Sequence, residues 1–131
     1  MLNVLKQVQI QLKPPSELKI SEWADKYRYL SPESSAISGK YRTDYAPYQK
    51  EIMDAFNDPN IEKIIWMKSA QVGATEILNN VVGYYIHMSP CPILIMQPSL
   101  QMAQAYSKEK LSNMLRDTPV LKERINEPKS K

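Results

Sequence analysis

The sequence has 131 residues and a formal net charge of +3, with 43% hydrophobic and 24% charged residues. A chain of this length buries one core, and its composition is that of a soluble globular protein, so one domain is expected. No stretch approaches the roughly 20 apolar residues that span a bilayer, and polar residues interrupt the N-terminus where a secretory signal would be apolar. The single cysteine, Cys91, excludes an internal disulfide and makes a metal site improbable. A cytoplasmic location is therefore expected.

Basic residues concentrate towards the C-terminus. Residues 99–131 carry seven Lys/Arg and four Asp/Glu, whereas residues 49–98 carry three Lys/Arg and five Asp/Glu. A solvated helix face and a contact with DNA both account for this distribution, and the sequence leaves the two open.

The N-terminal part of the chain predicts an arm followed by a short helix. Residues 1–20 have no core pattern of their own and contain Pro14–Pro15, which indicates an extended or weakly helical arm. Ser21 is a predicted N-cap for a helix that continues to Leu30. Ser31–Pro32 ends that helix, because the residue before a proline avoids helical backbone angles.

From residue 47 onward, helical and strand patterns alternate. The predicted elements are a helix from Pro47 to about residue 57, a strand over 61–67, a helix over about 75–88, a strand over 93–96 and a helix over about 100–116 with Ser99 as N-cap. Short continuous apolar runs suit strands covered on both faces, and strands alternating with helices predict an α/β fold with a parallel sheet. Two strands do not make a stable sheet of that kind, so the predicted fold is an incomplete one.

The connection between the first predicted strand and the helix after it has the pattern of a phosphate-binding loop. It consists of Lys68, Ser69, Ala70, Gln71, Val72, Gly73, Ala74 and Thr75. Compared with G-x-x-x-x-G-K-[ST], Lys68 stands in place of the first glycine and Ala74 in place of the lysine. Thr75 is placed to offer its hydroxyl to Mg²⁺, and Lys68 could fold back over bound phosphates. From the spacing alone, an ordinary turn with a surface lysine is an equal alternative.

Several stretches in the same order resemble the ATPase domain of phage terminase large subunits, particularly the lambda-like GpA family. They are the loop Lys68–Thr75, the segments 22–28 and 30–35, the segment 46–56 closed by Asp58–Pro59, Gln97–Pro98, and the run 114–117. The resemblance covers about residues 20–120. It implies an incomplete P-loop NTPase sheet of the ASCE type with flanking helices over residues 21–131, preceded by the arm 1–20.

The resemblance also implies site residues, cofactors and partners. Gln49 is expected to contact adenine, since a side-chain amide can donate to and accept from the base, and Tyr48 could pack on it. ATP and Mg²⁺ are the implied cofactors. The implied partners are the small terminase subunit (bound through the arm 1–20), phage DNA, the procapsid portal and further copies of the chain, in the host bacterial cytoplasm.

Four other residues are expected to be structural. Arg116 is a candidate arginine finger, but a cation stabilising a helix C-terminus is the favoured interpretation. No metal or base role is expected for the lone His87, and Trp23 and Trp66 are expected in the core or an interface.

Neither predicted strand ends in the Asp and Glu of a Walker B motif, and the acidic cluster of the terminase nuclease is missing. The chain is therefore expected to be the N-terminal segment of a packaging ATPase that does not hydrolyse ATP alone. The alternatives are a non-enzymatic prophage remnant or interaction module, and another P-loop DNA translocase or helicase.

Overall fold

The computed structural model describes residue 4, residues 17–33 and residues 36–125. In chain order it contains α1 (Ile20–Tyr27), β1 (Tyr29–Leu30), β2 (Gly39–Lys40), a 3₁₀ helix (Thr43–Tyr45), α2 (Tyr48–Ala55), α3 (Ala74–His87), α4 (Leu100–Ala105), a π-helical segment (Tyr106–Leu111), α5 (Ser112–Asp117) and α6 (Pro119–Lys122). Most of the predicted arm 1–20 lies outside the described residues. None of the described helices is long and apolar enough to span a bilayer.

The first amides of α1 bond to side chains at and just after the end of α2, and the N–H of the N-cap residue Lys19 donates to Glu22 Oε2 at 3.0 Å. The backbone N–H of Ile20 donates to Asn57 Oδ1 at 2.8 Å, and that of Ser21 donates to Asp54 Oδ1 at 3.1 Å. The N-cap position is Lys19, so the prediction that Ser21 caps the helix is wrong. Because the first amides of a helix have no partner within it, these two bonds tie the start of α1 to the end of α2.

The predicted helix to Leu30 ends three residues early. Arg28 has extended backbone angles, and Tyr29–Leu30 form β1, which pairs antiparallel with Gly39–Lys40. The pairing continues one step further, because the N–H of Tyr41 donates to the carbonyl of Arg28 at 3.0 Å. The amino-acid pattern predicts no strand here, since two residues are too short for an alternating pattern.

Helices α1, α2, α3 and α6 pack around a common core. Its fully or almost fully buried hydrophobic side chains include Ile20, Trp23, Ala24, Met53, Ile77, Met114 and Leu121. Helices α1 and α3 approach closely at Gly83, where a Cβ atom would lie 2.5 Å from Trp23 Cη2. The predicted core position of Trp23 is confirmed, and Trp66 packs against the same cluster while half-buried.

The predicted strands 61–67 and 93–96 are not strands in the structure. The described residues contain one sheet, the two-stranded antiparallel pair β1–β2, and neither apolar segment belongs to it. Their side chains are largely exposed, with Met67 at 98% and Leu94 at 84%. A strand exists only through backbone hydrogen bonds to a neighbour, so a strand-like pattern without a paired neighbour gives an irregular segment. Cys91, two residues before the segment 93–96, is likewise exposed.

The predicted helix over 100–116 is present but interrupted. Ser99 caps α4 as predicted, accepting from the N–H of Met102 at 3.2 Å. The middle of the helix is a π-helical segment, in which Tyr106 reaches across to donate to Asn79 Oδ1 at 2.8 Å. π-Helical turns are rare and occur often at functional sites. Met114 is buried, whereas Leu100 is exposed, and α4 has no buried residue.

Candidate functional site

The phosphate-loop sequence forms a turn that leads directly into α3. Two of its residues, Gln71 (φ 57°) and Gly73 (φ 78°), have left-handed backbone conformations. Gly73 is also the N-cap of α3, and its carbonyl accepts from the N–H of Ile77 at 3.1 Å. Turns that contain left-handed residues can gather successive backbone N–H groups into an anion-binding concavity, and the N-terminus of α3 adds its dipole.

Gly73 is required by packing as well as by its backbone angles. A Cβ atom at this position would lie 2.2 Å from Gln49 Nε2. Gln49 is itself buried and fixed at both ends of its amide. Its Oε1 accepts from the Tyr41 hydroxyl at 2.8 Å, and its Nε2 donates to the Val72 carbonyl at 3.2 Å. The upstream glutamine and the loop therefore form one structural unit.

Tyr48 contacts the same loop carbonyl from solvent. Its hydroxyl donates to Val72 O at 2.9 Å, while half of the side chain is exposed. Gln49, and not Tyr48, takes the inward position at the start of α2. The exposed ring of Tyr48 is available to a planar ligand, and its hydroxyl fixes it beside the loop.

A polar cavity of about 520 Å³ opens beside the loop. It is lined by Ala36, Lys68, Gln71, Val72, Gly73, Ala74, Thr75, Glu76 and Lys110. Six of the eight predicted loop residues thus line one cavity, and they include the lysine at the start of the loop and the threonine at its end. Ser69, Ala70, Tyr48 and Gln49 do not line it. Glu76 and Lys110 were missed, since neither belongs to the loop motif.

Glu76 is held at the cavity wall by a buried ion pair. Arg28 Nη2 lies 2.9 Å from Glu76 Oε2, and the arginine side chain is 3% exposed. Burial lowers the pKa of Arg28, and the nearby Glu76 carboxylate opposes that shift. Arg28 Nη1 also donates to the Tyr29 carbonyl, which links the β1 hairpin to the start of α3. A buried charge needs such a partner, so Arg28 and Glu76 each fix the other.

Tyr41 lies in the same buried network. Burial raises its pKa to about 12, and the negative charges of Asp25 and Glu76 add to that effect. Its hydroxyl is therefore protonated at neutral pH, as donation to Gln49 requires.

Arg116 does not point into the cavity. Its guanidinium pairs with Asp117 at 2.7 Å and with Glu33 at 3.2 Å, and these hydrogen bonds raise the pKa of Arg116 and lower that of Asp117. This position at the last turn of α5 agrees with the structural interpretation that the sequence favoured.

Comparison with known proteins identifies the class to which this loop and its flanking helices belong. Residues 35–131 match the family described as phage terminase large subunit gpA, ATPase domain, and the chain belongs to that family. The resemblance found in the sequence is therefore confirmed.

Two proteins with sequences similar to this chain are terminase large subunits from phages. That of Enterobacteria phage P21 is 33% identical over 109 residues, which are 83% of this chain and 17% of that protein. That of Escherichia phage lambda is 34% identical over 100 residues, which are 76% of this chain and 15% of that protein. The chain therefore spans less than a fifth of the length of either relative. No solved structure matches the chain.

Proposed function

We propose that this chain is the nucleotide-binding segment of a terminase large subunit and binds ATP in the cavity beside the loop Lys68–Thr75. The observation that carries the proposal is the coincidence of two findings. The chain belongs to a family of terminase ATPase domains, and the loop that resembles a phosphate-binding motif lines a polar cavity at the N-terminus of α3. Backbone amides at the start of a helix are suited to phosphate oxygens.

In this proposal each predicted loop residue has a defined task. Lys68 supplies the cation for the phosphates, and the backbone N–H groups of Gln71, Val72, Gly73 and Ala74 face them. Ser69 and Ala70, which do not line the cavity, connect Lys68 to these amides. Thr75 is exposed and lines the cavity, where its hydroxyl could ligate Mg²⁺. Magnesium keeps several waters and takes few protein oxygens besides the nucleotide phosphates, so this lining fits it. Bound Mg²⁺ would neutralise charge on the phosphates.

Adenine recognition is proposed for Tyr48 and Gln49. The amide of Gln49 already bonds Tyr41 and Val72, which leaves one amide hydrogen and one lone pair on Oε1 for a base. The half-exposed ring of Tyr48 offers a stacking surface next to it. Both residues bond to the carbonyl of Val72, and neither lines the cavity.

The exposed apolar segments 61–67 and 93–96 are, in this proposal, two strands of a parallel P-loop sheet that the remaining part of a longer protein completes. Their exposure supports this assignment, because apolar runs of this kind occur where a sheet is covered on both faces. Hydrolysis would then require acidic residues supplied by that remaining part.

The proposed role of the longer protein is ATP-driven packaging of phage DNA. The two relatives are both named terminase large subunit, which supports this role. The small terminase subunit, the procapsid portal, phage DNA and further copies of the large subunit are the proposed partners, in the host cytoplasm. The family comparison favours this role over that of a helicase or an unrelated interaction module.

The test is nucleotide binding by the 131-residue chain. Isothermal titration and thermal unfolding with ATP and Mg²⁺ are measured for the wild type, Lys68→Ala, Thr75→Val and the control Lys63→Ala. Lys63 is exposed on the segment before the loop and does not line the cavity. A ligand present at a hundred times its Kd stabilises the folded state by about 2.7 kcal/mol, which raises the Tm by several degrees.

We expect this stabilisation in the wild type and in Lys63→Ala, and its loss in Lys68→Ala. Thr75→Val should lose the dependence on Mg²⁺ while keeping weak binding to ATP. Absence of binding by the wild type at millimolar MgATP would refute the proposal for this chain.

A further inference from the structure

The carbonyl group of Val72 accepts hydrogen bonds from two neighbouring side chains of α2. Tyr48 donates its hydroxyl to Val72 O at 2.9 Å, and Gln49 donates its Nε2 to the same oxygen at 3.2 Å. Neither Tyr48 nor Gln49 lines the cavity, whereas Val72 and Gly73 both do. The carbonyl of the peptide that joins Val72 to Gly73 is therefore held towards the start of α2.

The planarity of this peptide determines where its N–H points. The described residues contain no cis peptide bond, so the Val72 carbonyl and the Gly73 N–H point in opposite directions. Because the carbonyl is directed at Tyr48 and Gln49, the N–H is directed away from both. Among the hydrogen bonds of the described residues, none is donated by this N–H. Gly73 thus has a backbone donor that a ligand can use.

Tyr41 determines which end of the Gln49 amide faces Val72. A carbonyl oxygen can only accept, so the end that faces Val72 has to be the NH₂ group, and Oε1 then faces the other way. The Tyr41 hydroxyl donates to that Oε1 at 2.8 Å. Burial raises the pKa of Tyr41 to about 12, so the hydroxyl keeps the proton that it donates. The hydrogen bonds therefore run in one direction, from Tyr41 through Gln49 to Val72.

The two residues that begin this chain of hydrogen bonds are fixed by the fold. Tyr41 belongs to the hydrophobic core, and its N–H donates to the Arg28 carbonyl at 3.0 Å, which anchors it at the end of the β1–β2 hairpin. Gln49 is only 6% exposed. A buried acceptor that loses its donor is costly, so removal of the Tyr41 hydroxyl should release the Gln49 amide from its present orientation.

We infer that Tyr41 is a positioning residue of the nucleotide site, which acts through Gln49 to hold the peptide between Val72 and Gly73 with its N–H towards bound phosphate. The inference deepens the proposed function and rests on it, since it assumes that phosphates occupy the cavity beside the loop. It assigns a role to a tyrosine outside the loop, and it gives Gln49 a task besides contact with adenine.

Inorganic tripolyphosphate separates this role from adenine recognition, because it offers phosphates without a base. Its binding and that of MgATP are measured by isothermal titration for the wild type, Tyr41→Phe, Gln49→Ala, the double variant that combines them, and the control Tyr45→Phe. Tyr45 is an exposed tyrosine nearby in the chain and does not line the cavity. Unfolding midpoints without ligand are measured for all chains.

Tyr41→Phe should weaken binding of tripolyphosphate and of MgATP about fivefold, and Gln49→Ala should weaken binding of tripolyphosphate about tenfold. These losses correspond to a charge-assisted hydrogen bond that is weakened or lost. The double variant should bind tripolyphosphate as Gln49→Ala does, because Tyr41 acts through Gln49. Tyr45→Phe should match the wild type.

The peptide itself can be observed by NMR, because the sequence contains only three glycines. Labelling with ¹⁵N-glycine gives one amide signal each for Gly39, Gly73 and Gly83. Tripolyphosphate should move the Gly73 signal of the wild type downfield, as expected for an N–H that bonds to an anion, and should leave that of Gly83 inside α3 in place. In Tyr41→Phe the displacement of the Gly73 signal at saturation should be smaller.

Four results would overturn the inference. They are an unchanged tripolyphosphate affinity in Tyr41→Phe, an unchanged one in Gln49→Ala, additive losses in the double variant, and a wild-type Gly73 signal that bound tripolyphosphate does not move. Since the last of these needs no variant, it tests the inference even if Tyr41→Phe does not fold. A wild-type chain that binds neither tripolyphosphate nor MgATP would instead refute the proposed function, and the inference with it.

Discussion

The apolar side chains of the helical core are buried, whereas most of those in the two apolar segments 61–67 and 93–96 are exposed. Within these segments, Trp66 and Ile95 are partly buried against the core. Trp23, Met53 and Leu121 are fully buried among α1, α2, α3 and α6, whereas Met67 and Leu94 are almost fully exposed. The core forms within this chain because the backbone hydrogen bonds of its helices are made within each helix. Each helix then needs only another apolar helix face to pack against. The two apolar segments do not form strands because a strand needs a neighbouring strand for its backbone hydrogen bonds.

This difference divides the phosphate loop itself. The end at Gly73 is built into the core, since Gly73 is the N-cap of α3 and lies against the buried Gln49. The end at Lys68 follows the exposed Met67, outside the core. The helices thus position the helix dipole and the loop amides, and the proposed sheet would position the lysine.

The difference between the buried core and the exposed segments predicts that a core substitution has the largest effect on the free energy of unfolding. Trp23→Ala should lower the free energy of unfolding by about 3–5 kcal/mol, because it removes the largest fully buried side chain. Met67→Ala should change it by less than about 0.5 kcal/mol, since the side chain is already in solvent. Urea unfolding followed by circular dichroism measures both. A cost above about 1 kcal/mol for Met67→Ala would show that Met67 is packed in solution. The distinction between a buried core and an exposed segment before the loop would then be wrong.

The boundary between the two regions is tested at Gly73. Gly73→Ala should cost about 2–3 kcal/mol, since a left-handed alanine costs about 1–2 kcal/mol and its Cβ would displace the Gln49 amide. The matched control is Gly39→Ala, at φ 112° with nothing within 4 Å of a Cβ atom, which carries the backbone strain alone.

A double-mutant cycle of Gly73→Ala with Gln49→Ala separates the clash from the strain. Removing the Gln49 side chain should recover about 1 kcal/mol of the cost of Gly73→Ala. Equal costs at Gly73 and Gly39, with no coupling to Gln49, would mean that the loop is not packed against the core.

The sequence predicted the elements whose patterns are local. The period of Ile77, Val81 and Val82 predicted α3, and the mixed polarity of the loop predicted its position between two apolar elements. Ser99 as a cap and Trp23 in the core were also predicted correctly, because capping and burial of a large aromatic side chain depend on residue type.

What the sequence could not predict depends on partners distant in the chain. The caps of α1 come from Asp54 and Asn57, and the carboxylate of Glu76 meets Arg28 across 48 positions. Residues 61–67 do have the apolar pattern of a strand. A strand also requires a neighbouring strand to pair with, and the described residues do not provide one for this segment. Lys110 was missed because its place at the cavity arises from the π-helical segment and not from a motif.

The smallest predicted effect is on the pH dependence of the free energy of unfolding. It arises from His87, the only histidine in the sequence. His87 Nδ1 accepts from Trp23 Nε1 at 3.0 Å, and the ring stacks edge-on against Tyr27. Burial lowers the pKa of His87, with a further lowering by Arg124 that Glu123 partly opposes. Protonation of Nδ1 would also remove the acceptor of the tryptophan N–H.

The sign of the effect follows from that lowered pKa. Above pH 6.5 both folded and unfolded chains hold His87 neutral, and the stabilisation is complete. As the pH falls from 6.5 through the folded-state pKa, the unfolded chain binds a proton that the folded chain resists, so the stabilisation is lost. We expect a decrease of less than about 1 kcal/mol between pH 7.5 and pH 5.5, because the ring is only partly buried. His87→Gln, whose amide oxygen can still accept from Trp23, should flatten this slope. If the slope persists in that variant, another group is responsible for the pH dependence of the core.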